Sequence, residues 1–469
     1  MIELIRRWRL GKQYGYETLF KNQDTRIKGK PGVILAEMGM PERYEFEFYK
    51  NYMLHVFNYS LPSFIRKIVL ADKGIALVNP KNPLAQEAFR PDQLVDCKGS
   101  HTNHEGVPYV ECDVAWRPPR STKNPWDHGH FIYQAEGKSG APDVCEKTGA
   151  KVAGWYYGML IPEKKVAWRH QLCMVYHESV AELKKNFPHA EFCLAHYMDT
   201  SSMRKSVERL LALGCGTIIY QCFSNPVYSD FEDYAYSLPL IHHLVNSRAK
   251  VVCADQLGSQ SAMRKAYLHM VKDQLAVLPE DASIFIILSA HGHPFKRETY
   301  DMRAPEYRDP LTESVRRILN ARAGRCDLTW SYDEFADPYW DPKNRRTETL
   351  EAYRYAIKNG YDYVIEFPTE SPAESTDLMI FHAMKKFIAF SDYDRDDPVQ
   401  YTDWEQPLVR TYHEGKTTGI YAGCPVGPYR RHVVAAVVNS IAGLLDRDQS
   451  WISSELSIVF GVSSTTQIE

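Results

Sequence analysis

Ser283–Pro294, SIFIILSAHGHP, decides how the rest of the chain is read. It opens with a short Ile-rich apolar run, too brief for a helix and suited to a parallel strand buried on both faces. A small-residue turn, Ser289-Ala290-His291-Gly292-His293-Pro294, ends the run, and the next helical pattern starts near Leu311. In open α/β sheets ligands bind beyond the carboxyl ends of the strands, so His291 sits where a ligand is met. A strand-end histidine is also an ordinary way to satisfy a backbone carbonyl. The residue therefore takes its weight from the rest of the chain.

Working outward, apolar runs and helical patterns alternate. Strands are predicted over Gly32–Met38, Phe192–Met198, Thr217–Cys222, Lys250–Ala254, Asp327–Tyr332 and Tyr361–Phe367. Helices are predicted over Ser201–Leu213 (ended by Gly214), a stretch running to Asn246, Gln260–Leu278, Leu311–Ala323, Thr347–Asn359 (capped by Gly360), Ser375–Phe390 and Arg431–Asp446. Such alternation means parallel sheets with helices on both faces. The fold class is α/β, with two Rossmann-like lobes. The expected organisation is an arm over residues 1–30, a lobe over 31–257 with an irregular insertion at about 87–170, and a second lobe over 258–469.

The 469 residues carry a net charge of -3, which argues against a sequence-independent nucleic-acid binder. Ten cysteines include no C-x-x-C pair, and Cys193, Cys215, Cys222 and Cys253 fall in apolar runs as small hydrophobes, which points to a reducing compartment. No signal-peptide core opens the sequence and no run reaches about 18 apolar residues, so a cytoplasmic, non-spanning protein is expected. Glu42–Leu70 crowds apolar and aromatic side chains onto more than one face, which suits either core packing or a lip resting on a membrane surface. Thirty tyrosines and nine tryptophans fit a large aromatic core, or equally a flat ligand. Within the insertion, Cys97, His101, His104 and Cys112 form a C-x3-H-x2-H-x7-C spacing that zinc can use, although it matches no regular structural-zinc pattern. Neither a Walker loop, a G-x-G-x-x-G, a G-x-S-x-G nor an H-E-x-x-H is present.

Five segments in order resemble the ferrochelatases, enzymes that insert iron into a porphyrin. SAHGHP (Ser289–Pro294) is similar to the family's catalytic-histidine turn, and EMGMPE (Glu37–Glu42) to the segment that ends its first strand. DPLTESV (Asp309–Val315), WSYDEFADPYWDP (Trp330–Pro342) and FPTESPAESTDLM (Phe367–Met379) resemble a helix start, a tryptophan segment and the strand-to-helix turn with the family's catalytic glutamate. The resemblance implies a chelatase-like fold and haem biosynthesis. A tetrapyrrole and ferrous iron (or another divalent metal) would be substrates, with no tightly bound cofactor. It makes His291 the base or metal ligand, and Asp377 the opposed carboxylate and second metal contact. Met38 and Trp340 become ring contacts, while Tyr44, with Arg43 and Arg66, is a candidate for the propionates.

The residue chemistry agrees in part. Metal insertion releases two pyrrole protons, and a neutral imidazole can accept a proton near pH 7 or ligate a metal. Asp377 is about 1.5 Å shorter than the family's glutamate, and Glu374, one helical turn earlier, can supply the missing reach. Both acids also suit first-turn capping of the helix. Where the family continues an acidic track, this chain has Phe381 and Lys385, with His382 nearby. That departure keeps two other expectations open: a non-catalytic haem or porphyrin binder, and an enzyme of changed chemistry using a metal at the His/Cys-rich insertion. The oligomeric state is not legible.

Overall fold

The computed structural model describes residues 23–37, 100–102, 108–115, 128–134, 167–196, 200–225, 233–291, 304–333, 336, 346–373, 406–407 and 409–445. In chain order the elements are β1 (Lys30–Glu37), β2 (Ser100–Thr102), β3 (Pro108–Ala115), β4 (His128–Gln134), α1 (Ala167–Asn186), β5 (Glu191–His196), α2 (Thr200–Ala212), β6 (Cys215–Cys222) and α3 (Asp233–Val245). They continue as β7 (Lys250–Cys253), α4 (Ser261–Ala276), β8 (Ile284–Ala290), α5 (Ala304–Leu319), β9 (Cys326–Tyr332), α6 (Thr349–Lys358), β10 (Tyr363–Pro368), β11 (Arg410–Glu414), β12 (Thr417–Tyr421) and α7 (Arg430–Leu445).

Two sheets carry the α/β architecture. The first runs β5-β1-β6-β7, all parallel, and the second β11-β12-β10-β8-β9, parallel except for the edge strand β11. All seven residues of β8 are buried, as an internal strand covered on both faces requires. One face of the first sheet packs Ile34, Ile218 and Tyr220 against Val207 and Leu210 of α2 and Ile241 of α3. Its other face shares a single apolar cluster with the second sheet, in which Val33 and Ile219 join Ile286, Ile365 and Phe367 through α1, α4, α5 and α7. That shared core explains α7, whose ten buried positions lie all round the helix rather than along one stripe. The opposite face of the second sheet is covered by α6, where the buried Glu366 accepts a hydrogen bond from Tyr353 Oη at 2.8 Å.

The predicted strands and most helices fall within two residues of their observed limits, and Gly214 and Gly360 end α2 and α6 at φ of +77° and +71°. At the strand that edges the first sheet, residues 23–28 leave the arm and lie against β7. Gln23 both donates to Cys253 O and accepts from Cys253 N–H, covering groups an edge strand would leave open. The four cysteines read as core residues, Cys193, Cys215, Cys222 and Cys253, are buried free thiols.

Several expectations are corrected. The insertion is not uniformly irregular: β2, β3 and β4 pair as an antiparallel three-stranded sheet. A period-2 alternation in Tyr109–Val114 underlies β3, too short to stand out among the surrounding Pro, Gly and His. In that sheet His101 pairs with Tyr109 and Cys112 with Phe131, while Cys97 and His104 lie outside the described residues. Helix α1 begins at Ala167 and was not predicted, nor was the β11–β12 hairpin turning at Gly415. Helix α5 starts at Ala304 rather than Leu311, with Pro310 inside it. A proline normally marks the first turn of a helix, so Pro310 signals a start that the structure overrides. The aromatic stretch Glu42–Leu70 and the predicted helix Ser375–Phe390 lie outside the described residues.

Candidate functional site

Strands β8 and β10 are parallel neighbours with Ser289 opposite Pro368, so the chain leaves both at the same edge of the sheet. Thr369 ties the two exits together, donating from its backbone N–H and from Oγ1 to Ser289 O, both at 2.9 Å. Just beyond, the backbone N–H of His291 donates to Glu370 Oε2 at 2.8 Å. The other oxygen of that carboxylate accepts from Arg308 Nη2 at 2.8 Å and from Tyr307 Oη at 3.4 Å. Arg308 and Glu370 are each only 9% exposed, so this is a buried ion pair.

The early start of α5 is what delivers Tyr307 and Arg308 to this edge. Arg308 Nη1 donates to Tyr332 Oη at 2.7 Å, and its guanidinium lies 5.1 Å from the Trp330 ring, 5.2 Å from Tyr332 and 5.8 Å from Tyr307. Trp330 is itself oriented by an Nε1–H donation to Thr312 Oγ1 at 2.7 Å. A planar cation among aromatic faces keeps attraction that a lysine ammonium would not match in shape.

The first lobe reaches the same place. After β6, the Asn225 N–H donates to Glu370 O at 3.0 Å, and Asn225 Nδ2 donates to Thr369 O at 2.6 Å and to Tyr267 Oη at 2.8 Å. Tyr267 Oη in turn donates to Ser371 O at 3.1 Å. Burial first, then the neighbouring Glu370, pushes the Tyr307 hydroxyl far above its usual range; burial and then Cys424 do the same for Tyr267. Both phenols therefore stay protonated donors. Asn225 Oδ1 and Ser289 Oγ are buried and meet no hydrogen-bond partner among the described residues.

Chemically, the Glu370 carboxylate is occupied by a cation and two other donors, which makes it an anchor rather than a base. His291, partly exposed at the strand end, is the sequence-predicted site residue that the described structure places here. Asp377, Glu374, Met38, Trp340 and Tyr44 lie outside the described residues, as do Arg43, Arg66, His293, Phe381, His382 and Lys385. Arg308, Glu370, Asn225 and Tyr267 were missed. Only Glu370 left a sequence signal, an acid two residues after the strand Tyr363–Pro368. Among the described residues no three His, Cys, Asp or Glu side chains converge as a metal site. An open cleft of about 340 Å³ lined by Pro279, Asp281, Asp362 and Lys416 lies at the amino ends of β8 and β10, on the far edge from His291. No described helix is long and apolar enough to cross a membrane.

No protein-family model matches the chain, and no curated protein sequence matches it. Among solved structures, SirB from Bacillus subtilis with Fe3+ is similar over 61% of this chain and 92% of its own, at 11% identity and a TM-score of 0.38. The solute-binding protein of an ABC transporter from Clostridium phytofermentas with bound L-rhamnose covers 58% and 77%, at 9% identity and a TM-score of 0.25. The transcription regulator CcpA of Lactococcus lactis covers 58% and 86%, at 12% identity and a TM-score of 0.24. At these scores the α/β assignment rests on the strand order itself.

Proposed function

We propose that the protein is a metal chelatase that binds a tetrapyrrole between its lobes and inserts a divalent metal, ferrous iron into a porphyrin being the simplest case. The observation that carries this reading is the anchored His291 at the shared exit of β8 and β10. The ordered motif resemblances support it. A porphyrin gives up two pyrrole protons for each M²⁺ it takes in, so two acceptors on opposite faces serve the exchange. His291 accepts one proton or hands over the metal. Asp377, with Glu374, follows β10 in the chain and is assigned the other face; Met38, which follows β1, and Trp340, which follows β9, are assigned ring contacts, and Tyr44 a propionate. Substrate metal and tetrapyrrole are the partners, and a peripheral membrane contact through residues 42–70 belongs to the same proposal.

Anaerobic incubation with protoporphyrin and Fe²⁺ tests the assignment. Haem formation that falls by two to three orders of magnitude in His291→Ala and Asp377→Asn supports it, and equal rates in all three reject it. Phe381 and Lys385 favour a second reading, tetrapyrrole binding without insertion, because neither side chain attracts a cation. In that case a Soret shift on adding haem or protoporphyrin is expected, with no metal uptake by any variant. Zinc bound through Cys97, His101, His104 and Cys112 remains a separate proposal, read directly by elemental analysis of the purified protein.

A further inference from the structure

We propose that Glu370 is a positioning residue for His291, and that Arg308 and Asn225 act through it. This rests on the assignment of His291 as the imidazole that meets the substrate metal. The peptide joining Ala290 to His291 is the first beyond the ladder of β8, and both of its polar atoms are held. Ala290 O accepts from Asp333 N–H at 2.8 Å, and His291 N–H donates to Glu370 Oε2 at 2.8 Å. A peptide unit is planar, so fixing its oxygen and its hydrogen fixes the direction in which the His291 Cα leaves the strand. Glu370 is fixed in its turn from two sides. Arg308, held among Tyr307, Trp330 and Tyr332, sets the carboxylate, while Asn225 of the first lobe sets the Glu370 carbonyl at 3.0 Å. The place of the imidazole is thereby tied to the seam between the lobes, where a flat guest would lie.

Stability alone does not account for the pair. Replacing a buried ion pair with apolar side chains of similar volume is often neutral or stabilising, whereas an apolar pair offers no acceptor to His291 N–H. Co²⁺ is the probe, because its visible bands report the geometry of the ligands around it. Affinity, absorption spectrum and denaturation midpoint are measured for the wild type, His291→Ala, Arg308→Met/Glu370→Met and Glu370→Asp. The proposal expects the double variant to unfold at the wild-type denaturant concentration yet to bind Co²⁺ about 10–100-fold more weakly, with shifted bands, as loss of an outer-shell partner does. It is overturned if His291→Ala weakens binding while the double variant matches the wild type in affinity and spectrum. Wild-type binding by His291→Ala overturns the metal assignment of His291 itself, and the positioning role with it. Should the double variant fail to fold, Glu370→Asp decides, since it keeps the charge and withdraws the acceptor by about 1.5 Å. Weakened binding then supports the role, and unchanged binding ends it.

Discussion

Arg308 and Glu370 hold opposite charges out of water, so removing one of them strands the other. A buried charge left without its partner costs about 3–5 kcal/mol. Arg308→Ala and Glu370→Ala should each lower stability by that order in denaturant titrations, and the paired methionine substitution should return the midpoint to that of the wild type. A loss in the double variant equal to the sum of the two single losses would mean that the two charges do not interact. Asn225 belongs at this scale too. Its side-chain amide makes two hydrogen bonds in a fully buried setting, so Asn225→Ala leaves Thr369 O without that donor.

Between elements, a histidine pair joins α4 to α7. His432 Nε2 and His269 Nδ1 are 3.1 Å apart, with the rings at 80°. Burial, then His269, Arg431 and Lys265, pull the His432 imidazole down to about 4; burial, then Arg431 and Lys272, lower His269, with Asp273 the opposing acid. An imidazole whose folded pKa is depressed resists the proton that the unfolded chain accepts. Its stabilisation is complete above the ordinary value near 6.5 and is lost as pH falls from there towards 4. We expect about 2 kcal/mol over that window, discounted from the full shift because His269 is partly exposed and water screens the pair. His432→Gln, which cannot titrate, should flatten the acid limb of a stability-against-pH curve. An unchanged limb would show that other groups set it.

The approach of α5 to the loop after β7 is just as specific. A Cβ on Gly258 would stand 2.8 Å from Asn225 O and 2.9 Å from Tyr307 Cγ, so Gly258→Ala must push Tyr307 or the Asn225 loop aside. A loss of about 1–3 kcal/mol is expected from overpacking of this kind. It should come with weaker protection of the His291 amide, because Tyr307 and Arg308 move on one helix. Wild-type stability and protection would show that the seam gives way without disturbing the strand ends.

Across the whole molecule, one apolar cluster runs through both lobes, and hydrogen bonds from Asn225 and Tyr267 close the seam at the carboxyl edges. The lobes should therefore unfold together, in a single calorimetric transition. Asn225→Ala should speed hydrogen exchange at Leu257, Gly258 and His291 before it changes exchange in β8 itself. Two separated transitions in the wild type would show that the shared core does not couple the lobes.

Much of this architecture is local in origin. The run Ile284–Leu288, the alternation after it and the glycines at 214 and 360 state their conformations through neighbours a few residues away, so the α/β class and the place of His291 are legible from the sequence. The hairpin β11–β12 and the early start of α5 are not, because packing on β10 and around Arg308 overrides the weak signals of Arg410–Tyr421 and the contrary signal of Pro310. Least legible is what surrounds His291. Arg308 and Glu370 lie 62 residues apart, and Asn225 and Thr369 144 apart. No periodicity or spacing encodes such meetings. The alternation of apolar runs with helical patterns determined the parallel strands and that His291 follows the end of one, whereas only the closing of two sheets on one core decided which charge accepts from its backbone N–H, because a buried charge finds its partner by position in space and not by distance along the chain.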